Sequence, residues 1–236
     1  MNIALVLAGG TGVRLGSEVP KQYIEVNGKP VISYCIEQLS GHDRIDAIQI
    51  VAALKWRNKI KDWILKEDKK GKFRGFSECG VNRQLSIYHG LEDIRGYAKD
   101  SDNVLVHDAA RPLLSTWMIS KCLGAIEEHE GVLPVLPLKD TVYGSIDGRR
   151  VTALLNRNEI FAGQTPEVFK LGIYYEANKR LMPDRILQIN GSAEAAVLAG
   201  MDIVMLPGDE MNFKITTGTD LEKFTRIMEL RETRMK

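Results

Sequence analysis

The stretch NIALVLAGGTGVRLGSEVPKQ, Asn2 to Gln22, constrains this chain more than any other. An apolar run of strand length, Ile3–Leu7, breaks into glycines, and Arg14 and Lys21 follow. A strand that runs into a glycine-rich turn lets backbone N–H groups approach an anion, because glycine lacks the Cβ that would block them. The spacing excludes two common loops. Gly10, Gly12 and Gly16 read G-x-G-x-x-x-G, one residue longer than a dinucleotide fingerprint. A Walker loop needs a Lys and then Ser or Thr after its last glycine, whereas here Leu15 precedes Gly16 and Ser17 follows it. What remains is a turn bracketed by a planar Arg fork and a compact Lys charge. Such a pair suits a triphosphate and the charge that builds up in an in-line displacement at phosphorus. On these residues alone, a glycine turn with solvated surface cations is the competing reading.

Beyond the loop, strand-length apolar runs alternate with amphipathic segments. Strands are expected at Ile3–Leu7, Ala47–Ala52, Phe73–Ser77, Val104–His107 and Val132–Leu136. Helices are expected at Val31–Leu39, Trp56–Leu65, Gln84–Ile94 and Thr116–His129. This β-α-β-α rhythm predicts an α/β fold: a Rossmann-like, mostly parallel sheet with helices on both faces. The rhythm breaks between about 138 and 163, where Thr141–Tyr143 and Val151–Leu155 flank the turn Ile146–Asp147–Gly148, a β-hairpin arm inserted into the pattern. Helices from about Pro166 to Leu181 and around Ala193–Gly200 follow, then strands at Ile203–Leu206 and Phe213–Thr216, and a closing helix Asp220–Arg234. Without repeats or a linker, residues 1–236 read as one domain carrying an arm.

The chain is 44% hydrophobic and 27% charged, enough for one substantial core. A net charge of +1 gives no general grip on nucleic acid or an anionic membrane, though a local basic pocket stays open. Cys35, Cys79 and Cys122 are odd in number and far apart, so neither a metal spacing nor a disulfide framework is expected. No run reaches the ~20 apolar residues of a membrane helix. The first apolar run also lacks the flanks of a signal peptide, so a cytoplasmic location is expected.

Six motifs in order carry a family resemblance: LAGGTGVRLGSEVPKQY, GVNRQLSIYHGL (Gly80–Leu91), VLVHDAARP (Val104–Pro112), LPLKDTV (Leu136–Val142), GQTPEVF (Gly163–Phe169) and NFKITTGTDL (Asn212–Leu221). Across essentially the whole chain they resemble the cytidylyltransferases that act on 2-C-methyl-D-erythritol 4-phosphate or ribitol 5-phosphate, of the nucleotide-diphospho-sugar transferase type. The resemblance implies that CTP and a polyol phosphate give a CDP-polyol and pyrophosphate, with Mg²⁺ held mainly by the CTP phosphates. It implies Arg14, Lys21 and Lys214 as catalytic groups. Ala8, Gly9, Gly10, Thr11 and Gly12 would cradle the nucleotide, with Gly80, Arg83, Ser86 and Asp108 beside it. Arg111, Thr141, Arg157 and Thr165 would serve the acceptor. The arm would embrace a second copy, giving a homodimer in which Arg157 binds the neighbour's acceptor phosphate.

Plainer readings stand beside these roles. Asp108 and Arg111 can form a structural salt bridge, Arg83 can lie at a helix surface, Arg157 can be a hairpin charge, and Lys214 on an alternating strand can face solvent. His107 neighbours Asp108 but points to the opposite face, which suits a hydrogen-bonded core role. The pattern also departs from the family at Ile189 and Asn190, which stand where a Thr and an Asp are usual; Asn190 or Ser192 is left to compensate with a neutral hydrogen bond. Methylerythritol phosphate is the expected acceptor. Ribitol 5-phosphate or another alditol phosphate, or a non-catalytic nucleotide-binding regulator on the same fold, are the alternatives.

Overall fold

The computed structural model describes residues 1–10 and 19–235. The chain opens with β1 (Asn2–Leu7), and after Lys21–Tyr23, a single 3₁₀ turn, come β2 (Glu25–Val26), β3 (Lys29–Pro30) and α1 (Val31–Gly41). Next are β4 (Ala47–Val51), α2 (Leu54–Glu67), β5 (Phe73–Ser77), α3 (Arg83–Arg95), β6 (Asn103–Asp108) and α4 (Thr116–Ala125). Then follow β7 (Gly131–Pro137), β8 (Val142–Gly144), β9 (Ala153–Leu155), β10 (Phe161–Gly163) and β11 (Glu167–Lys170). The chain closes with α5 (Leu171–Lys179), α6 (Ser192–Leu198), β12 (Ile203–Pro207) and α7 (Gly218–Met235).

The central sheet has the order β10-β7-β11-β6-β1-β4-β5, with β12 also paired to β7. The strands β5, β4, β1 and β6 run parallel. Of these β4, β1 and β6 are covered on both faces, which is why NIALVL, AIQIV and NVLVHD read as near-continuous apolar runs. On one face Ile36, Leu39, Ile60, Ile64, Ile119 and Leu123 pack from α1, α2 and α4. On the other, Ile87, Leu91, Tyr174 and Ala196 pack from α3, α5 and α6. A smaller cluster seats Phe224 of α7 against Tyr34 of α1, ring edge to face.

Three sequence expectations are corrected. The helix expected from Pro166 begins only at Leu171, because Glu167–Lys170 is β11, antiparallel to both β6 and β7. Val168 and Phe169, β-branched and aromatic, are fully buried there between two strands. The strand expected at Phe213–Thr216 is an extended segment without a ladder. Its Ile215 N–H bonds the Ala110 carbonyl (2.8 Å), but Asp220 takes the N–H groups of Thr216 and Thr217, both at 2.8 Å. The helix expected to reach His129 stops at Ala125 and gives way to turns.

The hairpin is present as β8 paired antiparallel with β9, a sheet of its own. Its roots are fixed by a strand that periodicity did not indicate, β10, which places Phe161 opposite Pro137 at the end of β7. The arm therefore departs from and returns to the edge at which the parallel strands end.

Candidate active site

After β1 the chain passes to β4 and β5 on one side and then to β6 on the other, so strand order reverses between β1 and β6. Open α/β sheets bind ligands at the carboxyl ends of strands at such a reversal. Leu7 and Asp108 are register partners there. A cleft of about 560 Å³ opens above them, lined by Gly9, Gly10, Lys21, Arg83, Asp108 and Lys214 among others.

The glycine turn is held from below. Gln22, buried, donates from Nε2 to the carbonyls of Ala8 and Gly10, both at 2.7 Å, and the Tyr23 hydroxyl donates to the Ala8 carbonyl at 2.7 Å. Two glycines are required by close approach. A Cβ on Gly9 would lie 2.5 Å from Cys79 Sγ, and one on Gly80 would lie 2.7 Å from the Leu85 carbonyl carbon. The opposite wall is the N-terminus of α3, whose positive end favours anions. Asn82 caps it by accepting from Leu85 N–H (2.8 Å), and Ser86 Oγ accepts from Gly80 N–H (2.9 Å) while donating to the Asn82 carbonyl (2.9 Å).

Asp108 organises the cations. Its Oδ1 accepts from Arg83 Nη2 (3.0 Å) and Nε (3.2 Å), and its Oδ2 from Lys214 Nζ (2.8 Å). Burial alone would raise this carboxyl, but Arg83, Lys214 and Arg111 overcome it and hold the group well below the usual carboxylate range. Among the described residues Arg111 forms no ion pair with Asp108. Its Nη1 donates instead to the Asn212 carbonyl at 2.7 Å. The salt bridges of Asp108 come from other segments of the chain, 25 and 106 residues away.

The structure thus brings Gly9, Gly10, Lys21, Gly80, Arg83, Ser86, Asp108 and Lys214 to one cleft, while Ala8 is buried beneath it with its carbonyl held by Gln22 and Tyr23. Thr11, Gly12 and Arg14 lie outside the described residues. Thr165 is buried behind the cleft, its Oγ1 accepting from the Asp108 N–H at 3.1 Å. Thr141 and Arg157 line a separate hollow on the arm with Leu154, Leu155, Asn156 and Asn158, and Arg157 Nη1 donates to the Lys139 carbonyl at 2.7 Å. Ile189 is buried with the α3/α5/α6 cluster, and Ser192 is engaged in donating to the Glu167 carboxylate. Neither Asn190 nor Ser192 lines the cleft.

Sequence reasoning passed over Gln22 and Glu167. Burial pushes the Glu167 carboxyl up to about 7, despite Arg83 nearby, so the site holds a second, near-neutral acid beside Asp108. Register pairs Glu167 with Val106, two residues before Asp108 and on the same sheet face.

Among the described residues no three His, Cys, Asp or Glu side chains cluster as a metal cage. Mg²⁺ commonly takes one or two carboxylates and otherwise phosphate oxygens and water, and Asp108, with a lone pair to spare on Oδ2, fits that demand.

A sheet of this winding, with a glycine turn, a helix N-terminus and cations converging at its switch point, defines a nucleotidyltransferase. The chain belongs to the IspD family: the family model described as 2-C-methyl-D-erythritol 4-phosphate cytidylyltransferase matches residues 2–230. It is 34% identical over 225 residues to the 2-C-methyl-D-erythritol 4-phosphate cytidylyltransferase of Nitrosomonas eutropha, covering 93% of each chain. It is 30% identical to the ribitol-5-phosphate cytidylyltransferase of Lactiplantibacillus plantarum, over 98% of this chain and all of that one. The solved 4-diphosphocytidyl-2C-methyl-D-erythritol synthase of Anaerococcus prevotii superposes with a TM-score of 0.81 at 26% identity, covering 97% of this chain and 96% of that one.

Proposed function

We propose that the chain transfers CMP from CTP to 2-C-methyl-D-erythritol 4-phosphate, releasing pyrophosphate. The observation that carries this reading is the convergence of Lys21, Arg83 and Lys214 on one cleft with Asp108, facing the glycine turn and the α3 N-terminus. An acceptor phosphate oxygen attacks the α-phosphorus of CTP, a P–O bond forms to it, and the bond to the β-phosphate oxygen breaks with its electron pair leaving on pyrophosphate. No proton need move at the reacting atoms, so the work of the protein is positioning and charge neutralisation. Lys21 would meet the triphosphate from the cleft wall, with Arg14 in the role that the family resemblance implies. Lys214, oriented by Asp108, meets the charge that grows on the transferring phosphoryl group. Arg83 is held by Asp108 Oδ1 at the helix terminus that receives the nucleotide. Asp108 would hold Mg²⁺ together with the phosphates; the ion, when bound, neutralises their oxygens.

The arm belongs to the same reading. Tyr143, Ile146 and Leu154 are 59, 93 and 69% exposed, an apolar surface that a second copy of the chain would cover. Arg157 would then serve the acceptor phosphate in that copy's cleft. A cytoplasmic enzyme without a nucleic-acid partner fits the charge balance. Among the described residues no helix is long and apolar enough to cross a membrane.

One observation favours ribitol 5-phosphate as a second acceptor: the Lactiplantibacillus plantarum relative aligns over its full length. Pyrophosphate release with CTP, Mg²⁺ and each polyol phosphate in turn separates the two. We expect the higher kcat/KM with methylerythritol phosphate. Preference for ribitol phosphate reverses the acceptor assignment, and no release with either removes the reaction.

A further inference from the structure

Behind the cleft the buried polar groups close a circuit whose direction follows from donor and acceptor chemistry. His107 is fully buried, with Nε2 3.1 Å from the Arg111 carbonyl oxygen and Nδ1 3.2 Å from Thr165 Oγ1. A carbonyl oxygen only accepts, so Nε2 carries the ring proton. In the neutral ring Nδ1 is then an acceptor, and the Thr165 hydroxyl must donate to it. The same hydroxyl oxygen accepts the Asp108 backbone N–H at 3.1 Å. From Arg111 the circuit continues through its guanidinium, which donates to the Asn212 carbonyl at 2.7 Å. It closes where Asn212 Nδ2 donates to the Thr165 carbonyl at 2.7 Å. Asn212 is fully buried and lies two residues before Lys214, and Ile215 N–H fastens the segment to the Ala110 carbonyl at 2.8 Å.

We propose that His107 and Thr165 are positioning residues of the cleft. The circuit they close sets the backbone of Asp108, the guanidinium of Arg111 and the segment bearing Lys214 in one fixed arrangement. The proposal rests on the transfer reaction for its catalytic consequence and on hydrogen-bond geometry for its existence. His107 acts through others: it is shut off from the cleft, and both ring nitrogens are committed. Thr165 likewise spends its proton on His107 and a lone pair on Asp108, and its side chain is the one joint in the circuit that touches both. A misplacement of about 1 Å in such a frame can cost as much as 10²-fold in rate.

The test has two readouts. The first is the ring ¹⁵N spectrum of the histidine-labelled chain without substrate, the His107 signals being those that vanish in His107→Phe or, should that variant not fold, those that remain when His42, His89 and His129 are replaced one at a time. The expected result is the neutral Nε2–H tautomer near neutral pH, with the Nδ1 signal displaced in Thr165→Val and restored in Thr165→Ser. The opposite tautomer, or a cationic ring, overturns the circuit. The second is steady-state kinetics. Thr165→Val should lower kcat by about ten- to hundred-fold with the CTP KM little changed, and Thr165→Ser should recover most of it. A Thr165→Val enzyme that keeps wild-type kcat, or one that loses only acceptor KM while the His107 spectrum stays put, overturns the positioning role. A wild-type chain that releases no pyrophosphate with any acceptor marks failure of the proposed reaction instead, and the tautomer still decides the circuit.

Discussion

The cleft and the arm are built on opposite principles. In the cleft Asp108 is 7% exposed and held by Arg83 and Lys214 from distant segments of the same chain. On the arm Ile146 is 93% exposed, and the two strands β8 and β9 form a separate sheet. Two strands alone are marginal in water, and an apolar tip gains nothing from solvent. The difference is one of burial: the charged groups of the cleft are paired within the chain, whereas the arm leaves apolar side chains in solvent, which is what the proposed docking of a second copy would relieve.

The largest expected effect lies in the cleft. Lys214→Ala should cut kcat by about 10²- to 10³-fold, as removal of one preorganised transition-state donor does, with CTP affinity within a few fold. A variant turning over at more than a tenth of the wild-type rate would remove Lys214 from the chemistry. Next comes the arm. Arg157→Ala should raise the acceptor KM by roughly ten- to hundred-fold, the worth of one charged hydrogen bond, and leave the CTP KM alone. Mixing it with Lys214→Ala sharpens the contrast: shared sites restore roughly a quarter of wild-type activity, since half the dimers carry one intact composite site. Self-contained sites restore none.

A smaller, purely physical effect is expected at the arm tip. Ile146→Asp should change the stability of the isolated fold by no more than about 0.5 kcal/mol, because the side chain lies in solvent. It should halve the mass seen by sedimentation if a second copy covers the tip. The last effect bears on stability alone and concerns the start of α7. Asp220 accepts from the N–H and hydroxyl groups of both Thr216 and Thr217 at the start of α7. Asp220→Ala should cost ~1 kcal/mol, the usual worth of a helix cap. Despite partial burial, those hydrogen bonds lower the Asp220 carboxyl from 3.8 to about 2. A carboxyl depressed by folding stabilises fully above its unfolded value and loses that contribution as pH falls through the folded one. The gap between the variant and the wild type in denaturant titrations should therefore be constant above about pH 5 and shrink toward pH 2. A gap that persists there would mean the cap works without its charge.

Legibility in the sequence followed burial. Ile3–Leu7, Ala47–Ala52 and Val104–His107 could be read directly because strands covered on both faces write near-continuous apolar runs. Glu167–Lys170 could not, since its four residues fit a helix start as well as a strand and its partners lie more than 30 residues away. Phe213–Thr216 alternates like a strand, but Asp220 captures the N–H groups a ladder would need, a competition between side chain and backbone that local pattern hides. The Asn27–Gly28 pair, with φ of 49° and 73°, turns β2 into β3, a two-residue hairpin signal that the pattern of apolar runs passed over. In the site, motif order pointed to Arg83, Asp108 and Lys214. It pointed neither to Gln22 as the clamp on two loop carbonyls nor to Glu167 as a half-buried acid with a raised carboxyl, because the surroundings of a polar group are a property of the assembled fold.

The rooting of the arm has an engineering consequence. Pro137 and Phe161 sit opposite one another, so everything between them leaves and re-enters the sheet through one gate at its rim. Doubling the length of such an excursion adds only ~0.6 kcal/mol of closure entropy. The segment is in effect a cassette: it can be lengthened, trimmed or exchanged between relatives while the strands beneath the triphosphate keep their register.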